Sequence, residues 1–213
     1  MDEASEGSLD PAVAAELSSI HQSLRTTDDP AEAVPLIRRA LAIAQECCGP
    51  DHPIVARYLI RLATFLKTTK RLSEAEPLMQ RALVIDEATC GPNYPRVARD
   101  LNNLALLLLV ADRPSEAEPL LRRAVSIFDT ALGENYKGMT NCLVNLASLL
   151  QDTNRLSEAE PLFRRALAID EAKSGLEHPD VARDLNALAQ VLLATNRLSE
   201  AELLFRRALA IDE

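Results

Sequence analysis

The chain has 213 residues, of which 47% are hydrophobic, 26% charged and only 3% aromatic, and its net charge is −9. That length and composition support a sizeable core built of Leu, Ile, Val and Ala, and exclude a disordered chain. The acidic balance argues against a nucleic-acid surface, which needs a concentrated basic face. With no apolar run of membrane-spanning length and an acidic start, "MDEASEGSLD", unlike a signal or transit peptide, a soluble cytoplasmic protein is expected.

In chain order, residues 1–8 read as a disordered acidic N-terminus, and residues 9–213 as one domain that repeats every 42 residues without gaps. The copies are 9–50, 51–92, 93–134, 135–176 and 177–213. Each begins with a block such as "PIVARYLIRLATFL" from Pro53, "PRVARDLNNLALLL" from Pro95 or "PDVARDLNALAQVL" from Pro179; "PAVAAELSSIHQSL" from Pro11 and "KGMTNCLVNLASLL" from Lys137 are more diverged. Apolar residues fall at helical spacing, as in Val97, Leu101, Leu104 and Leu108, so each block is an amphipathic helix. Its leading Pro suits the first helical position, where a backbone N–H has no partner to lose.

A second block follows: "DPAEAVPLIRRALAI" in the first copy, then "RLSEAEPL" at 71, "RPSEAEPL" at 113, "RLSEAEPL" at 155 and "RLSEAELL" at 197. Ser73, Ser115, Ser157 and Ser199 precede Glu76, Glu118, Glu160 and Glu202 by three residues, which predicts a capping box at the start of each second helix, worth roughly 1 kcal/mol. Pro77, Pro119 and Pro161 weaken the first turn without breaking the helix. Gly49, Gly91, Gly133 and Gly175 recur where a helix-ending glycine is needed. Each unit is therefore a helix hairpin, and five hairpins give about ten helices in an all-α chain. Small residues at Ala33, Ala75, Ala117, Ala159 and Ala201 allow close helix contact, and Ile37, Met79, Leu121, Phe163 and Phe205 form a bulky column between them. A lone hairpin cannot cover its apolar face, so neighbours must stack into a solenoid.

Catalytic and metal chemistry find little support. Cys47, Cys48, Cys90 and Cys142 contain no CxxC pair, and Cys48 and Cys90 are copies of one repeat position, so neither a metal site, a cofactor nor a disulfide framework is expected. His52 and His178 stand beside Asp51 and Glu177, but Tyr94 and Tyr136 hold the same place in other copies, which reads as a flat ring packing at a turn. The chain is not expected to be an enzyme. The column Arg39, Arg81, Arg123, Arg165, Arg207 and the pairs Glu118–Arg122, Glu160–Arg164 and Glu202–Arg206 predict a solvated, salt-bridged face.

Leu101-x2-Leu104-Ala105-x2-Leu108 followed by Ala117-x3-Leu121-x2-Ala124, with Ala159-x3-Phe163 and Ala201-x3-Phe205, resembles the tetratricopeptide repeat. The 42-residue period with "ARDLNNLA" and "EAEPLLRRA" is most similar to the kinesin light chain and nephrocystin-3 subgroup, over about residues 9 to 213. The family's usual Trp, Gly and Tyr are replaced by Leu, Ala and Leu, and His21 stands where other copies have Ala, so the first repeat reads as a cap. The resemblance implies a right-handed α-solenoid of five helix-turn-helix repeats whose first helices line a concave groove.

In the kinesin light chain group the Asn residues of "LNNLA" contact a bound peptide backbone. The match is full at Asn102 and Asn103 and partial at Asn145 and Asn186, while Ser18, Ser19, Ile60 and Arg61 stand in the first two repeats. Arg57, Arg99 and Arg183 lie a turn earlier, as a lure for acidic residues in a ligand. These Asn and Arg either bind a peptide or are ordinary solvated helix residues. In the run from Leu106 to Val110, Leu108 belongs to the core stripe, leaving Leu106, Leu109 and Val110 either to line the groove or to pack against adjacent hairpins.

The expected function is a non-catalytic scaffold that binds an extended peptide or partner protein in the groove. The alternatives are the sensor or substrate-recruiting arm of a larger signalling ATPase or protease, and a self-assembling structural scaffold. "RRALAIDE" ends the sequence inside a helix with Leu204, Ala208 and Ile211 uncovered, which predicts a natural continuation or a homo-oligomer formed end to end.

Overall fold

A computed structural model of the chain describes residues 11–27, 29–131 and 138–212. Among these residues it is all helix: α1 (Pro11–Thr26), α2 (Pro30–Cys48), α3 (Pro53–Thr68), α4 (Leu72–Cys90), α5 (Pro95–Val110), α6 (Pro114–Ala131), α7 (Met139–Asp152), α8 (Leu156–Ser174), α9 (Pro179–Ala194) and α10 (Leu198–Asp212). The acidic segment 1–8 and the positions Gly133, Tyr136 and Lys137 lie outside the described residues.

The ten helices are the expected five hairpins, α1–α2 through α9–α10. They fall into two compact units divided between Pro92 and Asn93, the boundary of the second and third repeats. In the first unit α1 to α4 pack each on the next; in the second α5 to α10 do the same, and α5 also touches α7. The alanine column is fully buried at Ala33, Ala75, Ala117 and Ala159, and so are the bulky side chains Ile37, Met79, Leu121 and Phe163.

Proline opens α1, α3, α5 and α9 as predicted. At α3 and α9 the residue before it is histidine, and its ring does more than pack. The Ile54 N–H donates to Nδ1 of His52 at 3.3 Å, and the Asp180 N–H donates to Nδ1 of His178 at 3.2 Å. Both imidazoles are helix caps. At the other end of the second helices, Gly49, Gly91 and Gly175 adopt φ near +90°, and their N–H groups donate to the Gln45, Glu87 and Glu171 carbonyls.

The turn inside the second to fifth hairpins overturns the predicted capping box. After α3, the Lys70 N–H donates to the Lys67 carbonyl at 3.0 Å and the Arg71 N–H to the Leu66 carbonyl at 2.9 Å, the two bonds of a Schellman motif. Its left-handed residue is Lys70, and Asp112, Asn154 and Asn196 take the same conformation, with φ of 58° to 61°. Arg71 also starts the next helix, because its carbonyl accepts from Ala75 N–H at 3.1 Å. One residue thus closes α3 and caps α4, which leaves Ser73 inside the helix, exposed and two residues too late to cap it. The Arg71 side chain folds over the new N-terminus and pairs through Nε and Nη2 with both Glu74 oxygens at 2.7 Å. Arg113–Glu116, Arg155–Glu158 and Arg197–Glu200 repeat the clamp.

The predicted ion-pair face is present. Glu118–Arg122 closes at 2.8 Å, and further pairs cross between hairpins, as in Arg155–Glu118, Arg122–Glu158 and Arg207–Glu171. Water screens such exposed pairs, so they select register more than they stabilise.

Changing Ser73, Ser115, Ser157 and Ser199 together to Ala should leave the thermal midpoint unchanged or slightly raised, because Ala is the better residue inside a helix. Circular dichroism melting checks it: capping boxes would show as a loss of roughly 1 kcal/mol per helix.

Candidate functional site

In the second unit the first helices α5, α7 and α9 present one side to an open hollow. Asn102, Asn103 and Leu106 of α5 line it with Asn141, Val144 and Asn145 of α7 and Arg183 of α9, around a space of about 400 Å³. A neighbouring hollow of about 520 Å³ continues along α7 and α9, past Val144, Ser148, Arg183, Asn186 and Gln190. Of the predicted binding residues, the structure therefore brings Asn102, Asn103, Asn145, Asn186, Leu106 and Arg183 together. Leu109 is half-buried and Val110 exposed at the last turn of α5, and Arg57 lies in the first unit on α3.

The amides are set by the 42-residue register. Asn102 is buried, and the Nδ2 of Asn145 donates to its Oδ1 at 2.8 Å, joining α5 to α7. Asn103, Asn141 and Asn186 carry no side-chain hydrogen bond among the described residues, so their carbonyl and NH2 groups face the hollow open to a ligand. Asn141, Ser148 and Gln190 were missed in the sequence. Asn141 could have been found, since it falls 42 residues after Arg99 and 42 before Arg183.

Arg183 is held by the protein's own carboxylates. Its Nη1 pairs with Asp180 at 2.9 Å, and its Nη2 with Asp184 at 3.1 Å and Asp170 at 3.5 Å. Thr140 of α7 donates to Asp170 Oδ1 at 2.9 Å, so α7, α8 and α9 meet at one polar knot. Asp184 is fully buried there. Burial pushes its carboxyl up to about 6, against the pull of Arg183 and with a further push from the Asp170 charge. Arg99 stands likewise beside buried Asp100, at 3.8 Å. These acids were also missed, although Asp100 sits three residues after Val97 and four before Leu104, on the apolar stripe itself.

No group of three or more His, Cys, Asp or Glu among the described residues is placed to hold a metal ion. The four cysteines are free thiols, and burial pushes Cys142 up to about 12, leaving it an inert apolar side chain. None of the described helices is long and apolar enough to cross a membrane.

The profile of the tetratricopeptide repeat family matches the chain at residues 13–83, 58–130 and 134–213. No curated protein matches it in sequence. Among solved structures, the nearly identical TPR-like repeats of a protein described as a kinesin light chain from Podosopora anserina superpose with a TM-score of 0.75 at 22% identity, covering 94% of this chain and 95% of that one. BtubC (BKLC) from P. vanneervenii gives a TM-score of 0.79 at 23% identity, covering 95% and 92%. The apo form of RapI gives 0.79 at 16% identity, covering 94% and 70%. At these identities the likeness is one of fold.

A carboxyl raised from 3.8 to about 6 favours the folded state fully below the lower value and loses that contribution as the pH climbs through the higher. Glu74, Glu116, Glu158 and Glu200, held low by hydrogen bonds from Arg71, Arg113, Arg155 and Arg197, act in the opposite sense. The readout is therefore a difference: the unfolding free energy of the wild type relative to Asp184→Asn should fall by on the order of 2 kcal/mol between about pH 4 and pH 7, measured by urea titration. A flat difference would remove Asp184 from the pH response.

Proposed function

The chain belongs to the tetratricopeptide repeat family, and from that premise we propose that it is a non-catalytic scaffold whose second unit holds an extended peptide segment of a partner protein against α5, α7 and α9. The observation that carries this reading is the row of side-chain amides along three successive first helices: Asn103, Asn141, Asn145, Asn186 and Gln190. An extended peptide offers alternating N–H and C=O groups, and an amide side chain both donates and accepts, so the row grips a main chain without reading its side chains. Leu106 and Val144 add an apolar floor. Many shallow contacts of this kind give an exchangeable interaction, roughly micromolar.

The non-catalytic part of the proposal is supported by what the titratable groups already do. His52 and His178 cap helices, Arg183 bridges carboxylates, and the Cys142 thiol is buried. The free thiols suit the reducing cytoplasm, where we place the protein.

A peptide-display library selected on the immobilised protein tests the groove. Binders recovered on the wild type should lose at least about tenfold in affinity for the triple variant Asn103→Ala, Asn141→Ala, Asn186→Ala. These residues make no hydrogen bond that the fold needs, so helicity should be unchanged; undiminished affinity in the folded variant rejects the assignment. Asn145→Ala is the wrong probe, since it strands the buried Asn102 amide at a cost of about 1–3 kcal/mol.

A second reading rests on α10. Leu209 is 60% exposed, whereas Leu167 and Val125 at the same repeat position are 9% and 8% exposed under the following hairpin. A helix laid on that face would bury it, which supports end-to-end self-association. Sedimentation at ~100 μM, where weak contacts populate, should then give a mass above the monomer that Leu209→Glu abolishes; a monomeric wild type would reject this second reading.

A further inference from the structure

A different cavity lies in the first unit, between α1 and α3. His21, Ile54, Arg57, Tyr58 and Arg61 line about 70 Å³ of space. At about 14 Å³ per water-sized atom, that holds roughly five heavy atoms, the size of a phosphate and ample for a carboxylate.

We propose that this cavity binds a compact oxyanion, a phosphate or carboxylate group, between the Arg57 and Arg61 guanidiniums and the His21–Tyr58 pair. Arg57 and Arg61 are one turn apart on α3, where two like charges repel unless an anion lies between them. Arg61 is oriented from below, its Nη2 donating to the Leu24 carbonyl of α1 at 2.8 Å, and its other N–H groups remain for a ligand. Arg57 is exposed and has no ion pair or hydrogen bond among the described residues. In the same lining His21 Nε2 and the Tyr58 hydroxyl are 2.7 Å apart, with the rings stacked at 5.7 Å between centroids and 20° between planes. Burial pushes the Tyr58 phenol up, against the pull of Arg57 and Arg61, which keeps it a neutral O–H donor.

The other repeats show what is peculiar here. Where Arg57 and Tyr58 stand, the third and fifth repeats have Arg99–Asp100 and Arg183–Asp184, and each arginine leans on the buried carboxylate next to it. In the second repeat that built-in counterion is replaced by a phenol. Glu16, which holds the same repeat position in α1, is committed to Arg39 at 2.5 Å. His21 likewise replaces the alanine of the other four copies, Ala63, Ala105, Ala147 and Ala189. Within a chain of net charge −9, the cavity thus gathers two guanidiniums, an imidazole and a phenol, with no carboxylate among its lining residues. An external oxyanion would do for Arg57 what Asp100 and Asp184 do for Arg99 and Arg183, through charge-assisted bonds in the forked geometry guanidinium favours.

The test is a histidine-selective NMR titration of the full chain with sodium phosphate and, separately, sodium acetate, each against sodium chloride at matched ionic strength. His21 signals should move to saturation while those of His52 and His178 stay fixed. In Arg57→Gln the midpoint should rise at least about tenfold with the circular dichroism spectrum unchanged. His21→Ala restores the residue of the other copies and keeps the fold testable; followed through the Tyr58 ring, it should weaken binding as well. Saturation by phosphate alone assigns a phosphoryl ligand, by acetate alone a carboxylate, and by both any compact oxyanion. A response no different from chloride, or an undiminished one in Arg57→Gln, overturns the proposal, and the peptide hollow of the second unit is untouched by either result.

Discussion

Everything else in the fold depends on how closely the helices approach at alanine. Ala63 and Ala75, Ala105 and Ala117, and Ala147 and Ala159 lie on the two helices of successive hairpins and are fully buried. A larger side chain at any of them would force the neighbouring helix outward or into strained rotamers. The close approach also leaves little room between the end of one helix and the start of the next. The chain meets this with a turn in which Arg71, Arg113, Arg155 and Arg197 each serve both helices, donating an N–H to the one that ends and offering a carbonyl to the one that begins.

That double duty explains where sequence reasoning succeeded and where it failed. The 42-residue period, the hairpins, the proline starts of α1, α3, α5 and α9 and the glycine stops at Gly49, Gly91 and Gly175 were legible because each expresses a local rule repeated in several copies. Ser73 and Glu76 obey a local rule too, the capping box, but the tertiary demand for a tight turn begins the helix before Ser73 and overrides it. The signal that was present but passed over is the residue ahead of it: Lys70, Asp112, Asn154 and Asn196 include the Asn and Asp that tolerate the left-handed conformation. The histidine caps were hidden for a different reason. The same position holds Tyr94, whose side chain makes no capping bond, so the column alone suggests shape and not hydrogen bonding.

The candidate site was legible only in part, because a first helix has two polar edges and the apolar stripe fixes which residues are buried but not which polar ones converge. Asn102 illustrates it. It lines the hollow with Asn103, yet it is buried and its Oδ1 accepts from Asn145, while Asn103 beside it makes no side-chain hydrogen bond among the described residues. The buried acids went unseen because a carboxylate on an apolar stripe violates the pattern that identifies the stripe. Asp184 is tolerated there because Arg183 neutralises part of its charge and burial keeps its proton to a higher pH.

The buried acids and the arginines beside them fall at two adjacent positions of the first helix. The first holds Arg57, Arg99, Asn141 and Arg183, on the wet side of the stripe; the second holds Tyr58, Asp100, Cys142 and Asp184, which are buried. Changes at the first alter what the face offers to solvent without touching the alanine contacts. Changes at the second decide whether the arginine before it has an internal counterion. Cys142 follows Asn141, where no charge needs balancing; aspartate follows Arg99 and Arg183, where one does. Tyr58 breaks that rule, pairing a charged residue with a neutral neighbour. A repeat protein can thus keep one packing scheme and vary its surface chemistry, provided the buried partner varies with it, and a mismatch between the two positions marks where the surface has been left to bind something from outside.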